Sequence, residues 1–286
     1  IMKKVLLILM CCMAIQSVHA QDTPKWADKA KKAVFSIVTY DKENKIKNTG
    51  NGFYIDNNGT ALSDYSLFED AERAVIINAD GKELPVTRIA GANSMYDVIK
   101  FRTETEKKIT ALKVATQPAA VGETVYLLPY STQKAATCQT GKVTQVDTIA
   151  DKAYYYTLTM TTSDKTVSCP IMNANGEVLG LIQKSASEED KESYAIGASY
   201  GESLSISPLS ANDINLNKIG IAKALPETED QALVYLYMSS SQMDAKNYLA
   251  TLNDFLQAYP NSTEGYTRRA GYYMNIGDDE HNALAE

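Results

Sequence analysis

The sequence is poor in histidine. Its only two, His19 and His281, lie near opposite ends of a chain of 286 residues. The long stretch between them therefore has no imidazole to act as a general base near neutral pH. The sequence also has no cluster of metal-ligand residues and no cofactor-binding motif. We therefore predict that the protein uses neither a metal nor a cofactor.

The sequence also lacks an excess of basic residues. It has 28 Lys and Arg against 35 Asp and Glu, a formal net charge of −7. Nothing in this balance favours a nucleic acid or an anionic membrane surface as a partner. The composition, 44% hydrophobic and 22% charged, is that of a globular protein, and no apolar run reaches the roughly 20 residues that a membrane-spanning helix needs. We therefore predict no stable membrane insertion.

The N-terminal residues have the pattern of a secretory signal peptide. Met2–Lys4 is basic, Val5–Ile15 is apolar, and Val18–Ala20 ends in small residues just before Gln21. This predicts cleavage after residues 1–20 and export across the inner membrane. A lipoprotein signal is less consistent, because neither Cys11 nor Cys12 follows a Gly, Ala or Ser.

Removal of the signal leaves two cysteines, Cys138 and Cys169. An oxidising compartment permits a disulfide between them. Two buried free thiols fit the sequence equally well, and both alternatives stay open here.

Short strand-like segments separated by turn residues dominate the first two thirds of the chain. Val34–Tyr40 is rich in β-branched and aromatic residues, and turn sequences stand at 57–59, 80–81 and 173–176. Many short strands with tight turns are typical of an all-β barrel. Gln21–Lys32, with the only tryptophan, Trp26, is expected to form a lead-in helix.

One hairpin-like segment resembles a known family. Residues 163–182 include Pro170, Gly176-Glu177-Val178 and Gly180. They resemble the pattern G-N-S-G-G-P-L-L-N-x-x-G-E-V-I-G-I, which surrounds the nucleophile of the trypsin-like serine proteases, in particular their bacterial HtrA branch. Anchored on these residues, the resemblance places the nucleophile at Val167.

Other segments extend the resemblance over about residues 32–207. Residues 48–63 resemble G-S-G-F-I-I-D-x-D-G-Y-I-L-T-N-x-H-V, which places the catalytic histidine at Ser66. Residues 96–101 resemble T-D-L-A-V-L-K, which places the triad aspartate at Asp97. The resemblance implies two six-stranded antiparallel β-barrels, so the fold class is mainly β with a domain at 21–215.

The resemblance also implies a degenerate catalytic site. Valine at position 167 has no nucleophile, and a serine at position 66 is not a proton acceptor near neutral pH. The glycines of the oxyanion region correspond to Lys165, Ser168 and Cys169. Ser168 or Lys165 could act as non-standard catalytic residues, and this alternative describes an active trypsin-like serine endopeptidase.

The last part of the chain changes to a helical pattern. Thr228 is a candidate N-cap, residues 244–259 have apolar side chains at three- to four-residue spacing, and a further helix is expected from Glu264. Small residues and turns here resemble tetratricopeptide repeats. We therefore predict a helical segment at 216–286 with further repeats beyond Glu286. A plain helical hairpin packed on the barrels is the alternative.

These features together predict an exported, catalytically inactive protease-like protein that binds peptides or proteins. The resemblance implies a bacterial source, so the expected location is the periplasm or the cell surface.

Overall fold

The structure is a computed structural model that describes residues 23–105, 109–150, 153–183 and 192–276. Twelve strands form two closed antiparallel barrels. The predicted pair of six-stranded barrels is thereby confirmed. The strands are β1 (Val34–Tyr40), β2 (Ile46–Tyr54), β3 (Thr60–Ser63), β4 (Arg73–Ile77), β5 (Glu83–Asn93), β6 (Val98–Thr103), β7 (Thr124–Leu127), β8 (Gln139–Ala150), β9 (Ala153–Leu158), β10 (Pro170–Met172), β11 (Val178–Ile182) and β12 (Ser193–Gly197).

The two barrels repeat one topology. The first has the order β1-β2-β3-β6-β5-β4 and closes where β4 pairs with β1. The second has the order β7-β8-β9-β12-β11-β10 and closes where β10 pairs with β7. Closure leaves no free sheet edge in either barrel, which protects the strands from pairing with other chains.

Four hairpins share one turn design. In each, the Oδ1 atom of an Asp or Asn accepts hydrogen bonds from the backbone N–H groups two and four residues later. The residue three positions on adopts a positive φ, which is why glycine stands there in three of the four turns. The pairs of first and fourth residues are Asp41 and Asn44, Asp56 and Gly59, Asn78 and Gly81, and Asn173 and Gly176.

Residues 26–31, which precede the first barrel, form hydrogen bonds with the second barrel. A short helix, α1 (Ala27–Ala30), leads into a 3-10 turn (Lys31–Ala33). Trp26 Nε1 donates to Ala174 O at 3.0 Å, and the Asp28 carboxylate accepts from Ala136 N at 2.8 Å. The nearly buried Lys31 donates to two backbone carbonyls in the β7–β8 connection. The lead-in helix thus ties both barrels together.

The C-terminal part is helical, as the sequence indicates. The helices are α2 (Ala198–Ser203), α3 (Ile214–Asn217), α4 (Glu229–Ser239), α5 (Ala245–Ala258) and α6 (Thr263–Ile276), with a 3-10 turn at Pro208–Asn212. Thr228 caps α4 through Gln231 N, and Asp244 caps α5 through Asn247 N. The predicted domain boundary, between 215 and 216, falls inside α3.

The helices are docked on the first barrel. Residues 220–224 run beside β5, where Ile89 donates to Ala222 O and accepts from Ala224 N. Tyr235 of α4 is 1% exposed and belongs to the core that runs through the barrels. The Arg88 guanidinium of β5 pairs with the Asp254 carboxylate of α5 at 2.5 Å. Packing, hydrogen bonds and charge together fix α4 and α5 against the barrel.

Within the described ranges, no helix is long and apolar enough to cross a bilayer. The predicted signal peptide, residues 1–20, lies outside the described residues.

Candidate functional site

Ser66 and Asp97 meet at one end of the first barrel. Ser66 lies in a 3-10 turn (Tyr65–Leu67) that follows β3, and Asp97 comes directly before β6. The Asp97 carboxylate accepts two hydrogen bonds from Ser66, from its backbone N at 2.7 Å and from its Oγ at 3.0 Å. Adjacent strands β3 and β6 thus bring together the positions that the resemblance assigns to histidine and aspartate.

The backbone at Asp97 is fixed in an uncommon conformation. Its φ of 48° lies in the left-handed region, which aspartate tolerates better than most residues. Before it, the Asn93 side chain accepts a hydrogen bond from Tyr96 N at 2.9 Å. This turn aims the carboxylate of Asp97 toward Ser66, so the carboxylate is oriented without an imidazole.

Val167 belongs to a turn that precedes β10 in the second barrel. One side chain of the first barrel, the buried Asn51 of β2, reaches this turn. Its Nδ2 donates to Val167 O at 2.9 Å and to Lys165 O at 3.1 Å. Ser63 Oγ donates in turn to Asn51 O at 2.6 Å. The Asn51 amide of β2 therefore holds this turn against the first barrel, and Ser63 of β3 bonds the Asn51 backbone.

The turn uses its own backbone donors. Thr166 N donates to Ser163 O at 2.8 Å, and Val167 N donates to the same oxygen at 3.3 Å. An oxyanion hole requires backbone N–H groups that point at the reacting carbonyl oxygen. With its N–H directed at Ser163, Val167 offers neither a side-chain nucleophile nor a free backbone donor.

Ser168 stands where the resemblance places a glycine. Its backbone has the positive φ that favours glycine at such a position. Its φ is 64°, a conformation that glycine adopts freely and that costs other residues roughly 1–2 kcal/mol. The side chain is fully buried. Among the described residues, Ser168 Oγ and Asp64 Oδ1 have no hydrogen-bond partner of good geometry. The Ser168 hydroxyl is nevertheless near enough to Asp64 to lower the pKa of that carboxyl.

Asp64 is the buried acid of the site. It follows β3 directly and is 2% exposed. Burial raises its pKa well above the usual value, the negative charge of Asp97 raises it further, and the nearby Ser168 hydroxyl opposes this. The balance favours the neutral acid, because a buried carboxylate without a cation is strongly disfavoured.

The remaining candidate residues are poorly placed for chemistry. Cys138 and Cys169 are free thiols in the structure rather than a disulfide. Burial raises the pKa of Cys138 to about 11 and that of Cys169 to about 12, so both remain protonated near neutral pH. Lys165 is exposed on the turn. Ser168 points into the interior, where a substrate does not reach it.

Asn51 and Asp64 are site residues that the sequence analysis did not single out. Asn51 stands between two glycines of β2, and Asp64 directly follows β3, whose last three residues are buried. Polar residues at such buried positions are unusual and usually have a specific partner. That signal was present in the sequence, but the partners on the second barrel become visible only in the fold.

Comparison with known proteins agrees with this architecture. Residues 50–181 match the family model of the trypsin-like peptidase domain. This match covers slightly less than half of the chain. It includes the positions of Ser66, Asp97 and Val167.

A solved structure of the serine endoprotease from Yersinia pestis has the same fold, with a TM-score of 0.51 and 15% sequence identity. The alignment covers 61% of this chain and spans 61% of that one. A search of curated proteins gave no match. Within the described residues, no group of three or more His, Cys, Asp or Glu side chains is arranged to hold a metal ion.

Proposed function

We propose that this chain binds peptides or proteins through its trypsin-like domain without cleaving them. The observation that carries the proposal is the Ser66–Asp97 hydrogen bond, which occupies the place where a protease has its histidine–aspartate pair. A serine there takes no proton from a nucleophile, and Val167 supplies no nucleophile. The two-barrel scaffold is present, and we infer that the groove where the barrels meet can hold an extended peptide.

Three further parts of the proposal come from the sequence. Residues 1–20 direct export, so the protein works in the periplasm or at the cell surface of a bacterium. Helices α4–α6 belong to a tetratricopeptide-like array, which provides a second surface for protein partners. No nucleic acid, metal or cofactor takes part.

The rival proposal is an active trypsin-like endopeptidase that uses Ser168 or Lys165. Full burial of Ser168 and the backbone bond from Val167 N to Ser163 O weigh against it. Acyl transfer also needs a base, and the only imidazoles of the sequence, His19 and His281, lie far from this stretch. Lys165 is exposed on the turn, whereas Ser168 is fully buried.

Binding of fluorescein-labelled, unfolded casein to the full chain, followed by fluorescence anisotropy, tests the proposal. Val167→Arg places a long cation in the cleft and should weaken binding at least about tenfold, since it blocks contact with peptide backbone. Val121→Arg, at a position 65% exposed in the β6–β7 connection, is the matched control and should leave binding unchanged.

A third variant separates the cleft from the helices. Tyr237→Arg changes an exposed residue of α4. If Tyr237→Arg abolishes casein binding and Val167→Arg does not, the helical face is the binding surface and the barrels only support it.

A further inference from the structure

A cavity of about 290 Å³ lies where the 217–223 segment, α4 and the start of α5 meet. Its walls include Glu72, Lys223, Tyr235, Ser239, Met243 and Thr251. None of the residues of the cleft lines it. Its volume matches a small molecule of a few heavy atoms more readily than a drug-sized ligand, for which pockets of about 300–1,000 Å³ are typical.

Lys223 supplies a cation to this cavity. Its Nζ donates to the carbonyl oxygens of Ile219 and Ile221, the latter at 2.8 Å. An ammonium group has three donors, so the segment around it uses two and leaves one. Burial lowers the pKa of Lys223 to about 8, and the charge of Glu72 opposes that effect. The ammonium is therefore poorly solvated, and an anion bound beside it would compensate for the solvation that burial removes.

Ser239 supplies a second, independent observation. It is the last residue of α4, it is 1% exposed, and its Oγ has no hydrogen-bond partner of good geometry among the described residues. Tyr235, one turn earlier, is close enough for Ser239 to lower its pKa, but the two hydroxyls do not meet as a hydrogen bond. Buried hydroxyls are normally paired, so this one is available to a ligand.

Carboxylates stand on the same cavity wall. Gly220 leaves room for the Glu72 carboxylate, because a side chain at position 220 would collide with it. The Asp244 carboxylate, which caps α5 through the backbone N and Nδ2 of Asn247, also lines the cavity. One cation and two carboxylates disfavour a simple anion. They favour a molecule that carries both charges.

We propose that this cavity binds a small zwitterion, a free α-amino acid or a dipeptide. Its carboxylate lies against Lys223 Nζ and Ser239 Oγ, and its ammonium group faces Glu72. The site is separate from the peptide-binding cleft, so it adds a small-ligand function to the protein. Its position between Glu72, the 217–223 segment, α4 and α5 also means that an occupied cavity strengthens the contact of α4 and α5 with the barrel.

Isothermal titration of the full chain with glycylglycine tests this proposal. Saturable millimolar binding is expected, and acetate and methylamine, each with one of the two charges, should bind at least about tenfold more weakly. Lys223→Met and Glu72→Gln should each reduce glycylglycine affinity at least about tenfold, and Ser239→Ala a few-fold. Lys246→Met, on the exposed surface of α5, is the matched control and should bind as the native chain does.

Three outcomes would overturn the proposal. One is the absence of saturable glycylglycine binding to the native chain. Another is that Glu72→Gln and Ser239→Ala, which keep Lys223 and its loop, both bind glycylglycine as tightly as the native chain does. The third is acetate binding as tight as that of glycylglycine, which would make the cavity an anion site. Casein binding at the cleft should be unchanged in all these variants, which separates this result from the proposed peptide binding.

Discussion

The two barrels contribute very differently to the site where they meet. On the first barrel, the Asp97 carboxylate is oriented by two hydrogen bonds from Ser66, one from its backbone N and one from its Oγ. On the second barrel, the turn at 163–168 has a valine at position 167 and directs the Val167 N–H at its own Ser163 carbonyl. The first side presents an oriented carboxylate, whereas Val167 on the second side bonds within its own turn.

This difference shows which parts of a catalytic scaffold serve the fold. The Asp97 carboxylate is still needed because it satisfies the backbone N–H of Ser66, whatever the chemistry of the neighbouring side chain. The backbone N–H groups of an oxyanion hole do not stabilise the fold in this way, because they are left unpaired to bind the substrate oxygen. Donors that no substrate uses are more stable when they are paired within the turn, as the Val167 N–H is.

The largest expected effect comes from Asn51, a side chain of the first barrel that bonds the turn of the second. Asn51→Ala leaves the Val167 and Lys165 carbonyls without their donor and should lower the free energy of unfolding by about 2 kcal/mol. Urea denaturation of the full chain measures it. Asn175→Ala, in an exposed hairpin turn, should change stability by less than about 0.5 kcal/mol. Equal effects of the two variants would mean that Asn51 does not hold the barrels together.

A smaller effect, with a defined pH dependence, is expected at Asp64. Its pKa is raised in the folded state, so its contribution to stability is fully present below the unfolded pKa and is lost as pH rises through the folded pKa. Asp64→Asn keeps the size of the side chain and removes this loss. The variant should therefore be more stable than the native chain at pH 7.5, where the raised pKa of Asp64 destabilises the native fold.

The same comparison at about pH 4, near the usual carboxyl pKa, should show little of this gain. Asp80→Asn, on an exposed hairpin, serves as the control for charge alone. A gain that is as large at low pH as at pH 7.5 would contradict the assignment of a buried, neutral Asp64.

The smallest expected effect concerns Ser168 in the turn at 163–168. Ser168→Gly relieves the positive φ and removes a buried hydroxyl, but glycine also loses more backbone entropy on folding. The net gain in stability should be about 0.5 to 1 kcal/mol. Ser168→Ala removes the hydroxyl and keeps the strain, so thermal denaturation should place it below Ser168→Gly. The reverse order would mean that the backbone at Ser168 is not strained.

Local patterns were sufficient to predict much of this architecture. Turn residues such as Asn78–Gly81 and Asn173–Gly176 specify hairpins by hydrogen bonds within five residues, and those hairpins are present. The N-cap at Thr228 is likewise local, and α4 begins directly after it. The predicted helix at 244–259 is α5, which begins directly after Asp244. The strand segment Val34–Tyr40 is β1 with the same bounds.

Features that depend on distant contacts could not be predicted in the same way. Asn51 meets Val167 across 116 residues, and Trp26 meets Ala174 across 148. The fate of Cys138 and Cys169 also depended on their separation in space, which spacing along a chain does not give. The packing of Tyr235 into the barrel core could not be predicted, because an apolar helix face does not show which element it packs against.

Peptide hydrolysis is the most direct test of the central claim, that this trypsin-like cleft binds without cleaving. The purified full chain is incubated with unlabelled casein and with a fluorogenic peptide, and release of fragments is followed by mass spectrometry and fluorescence. We expect no turnover above the rate without protein, both for the native chain and for Ser168→Ala. Turnover by the native chain that Ser168→Ala or Lys165→Met abolishes would contradict the account.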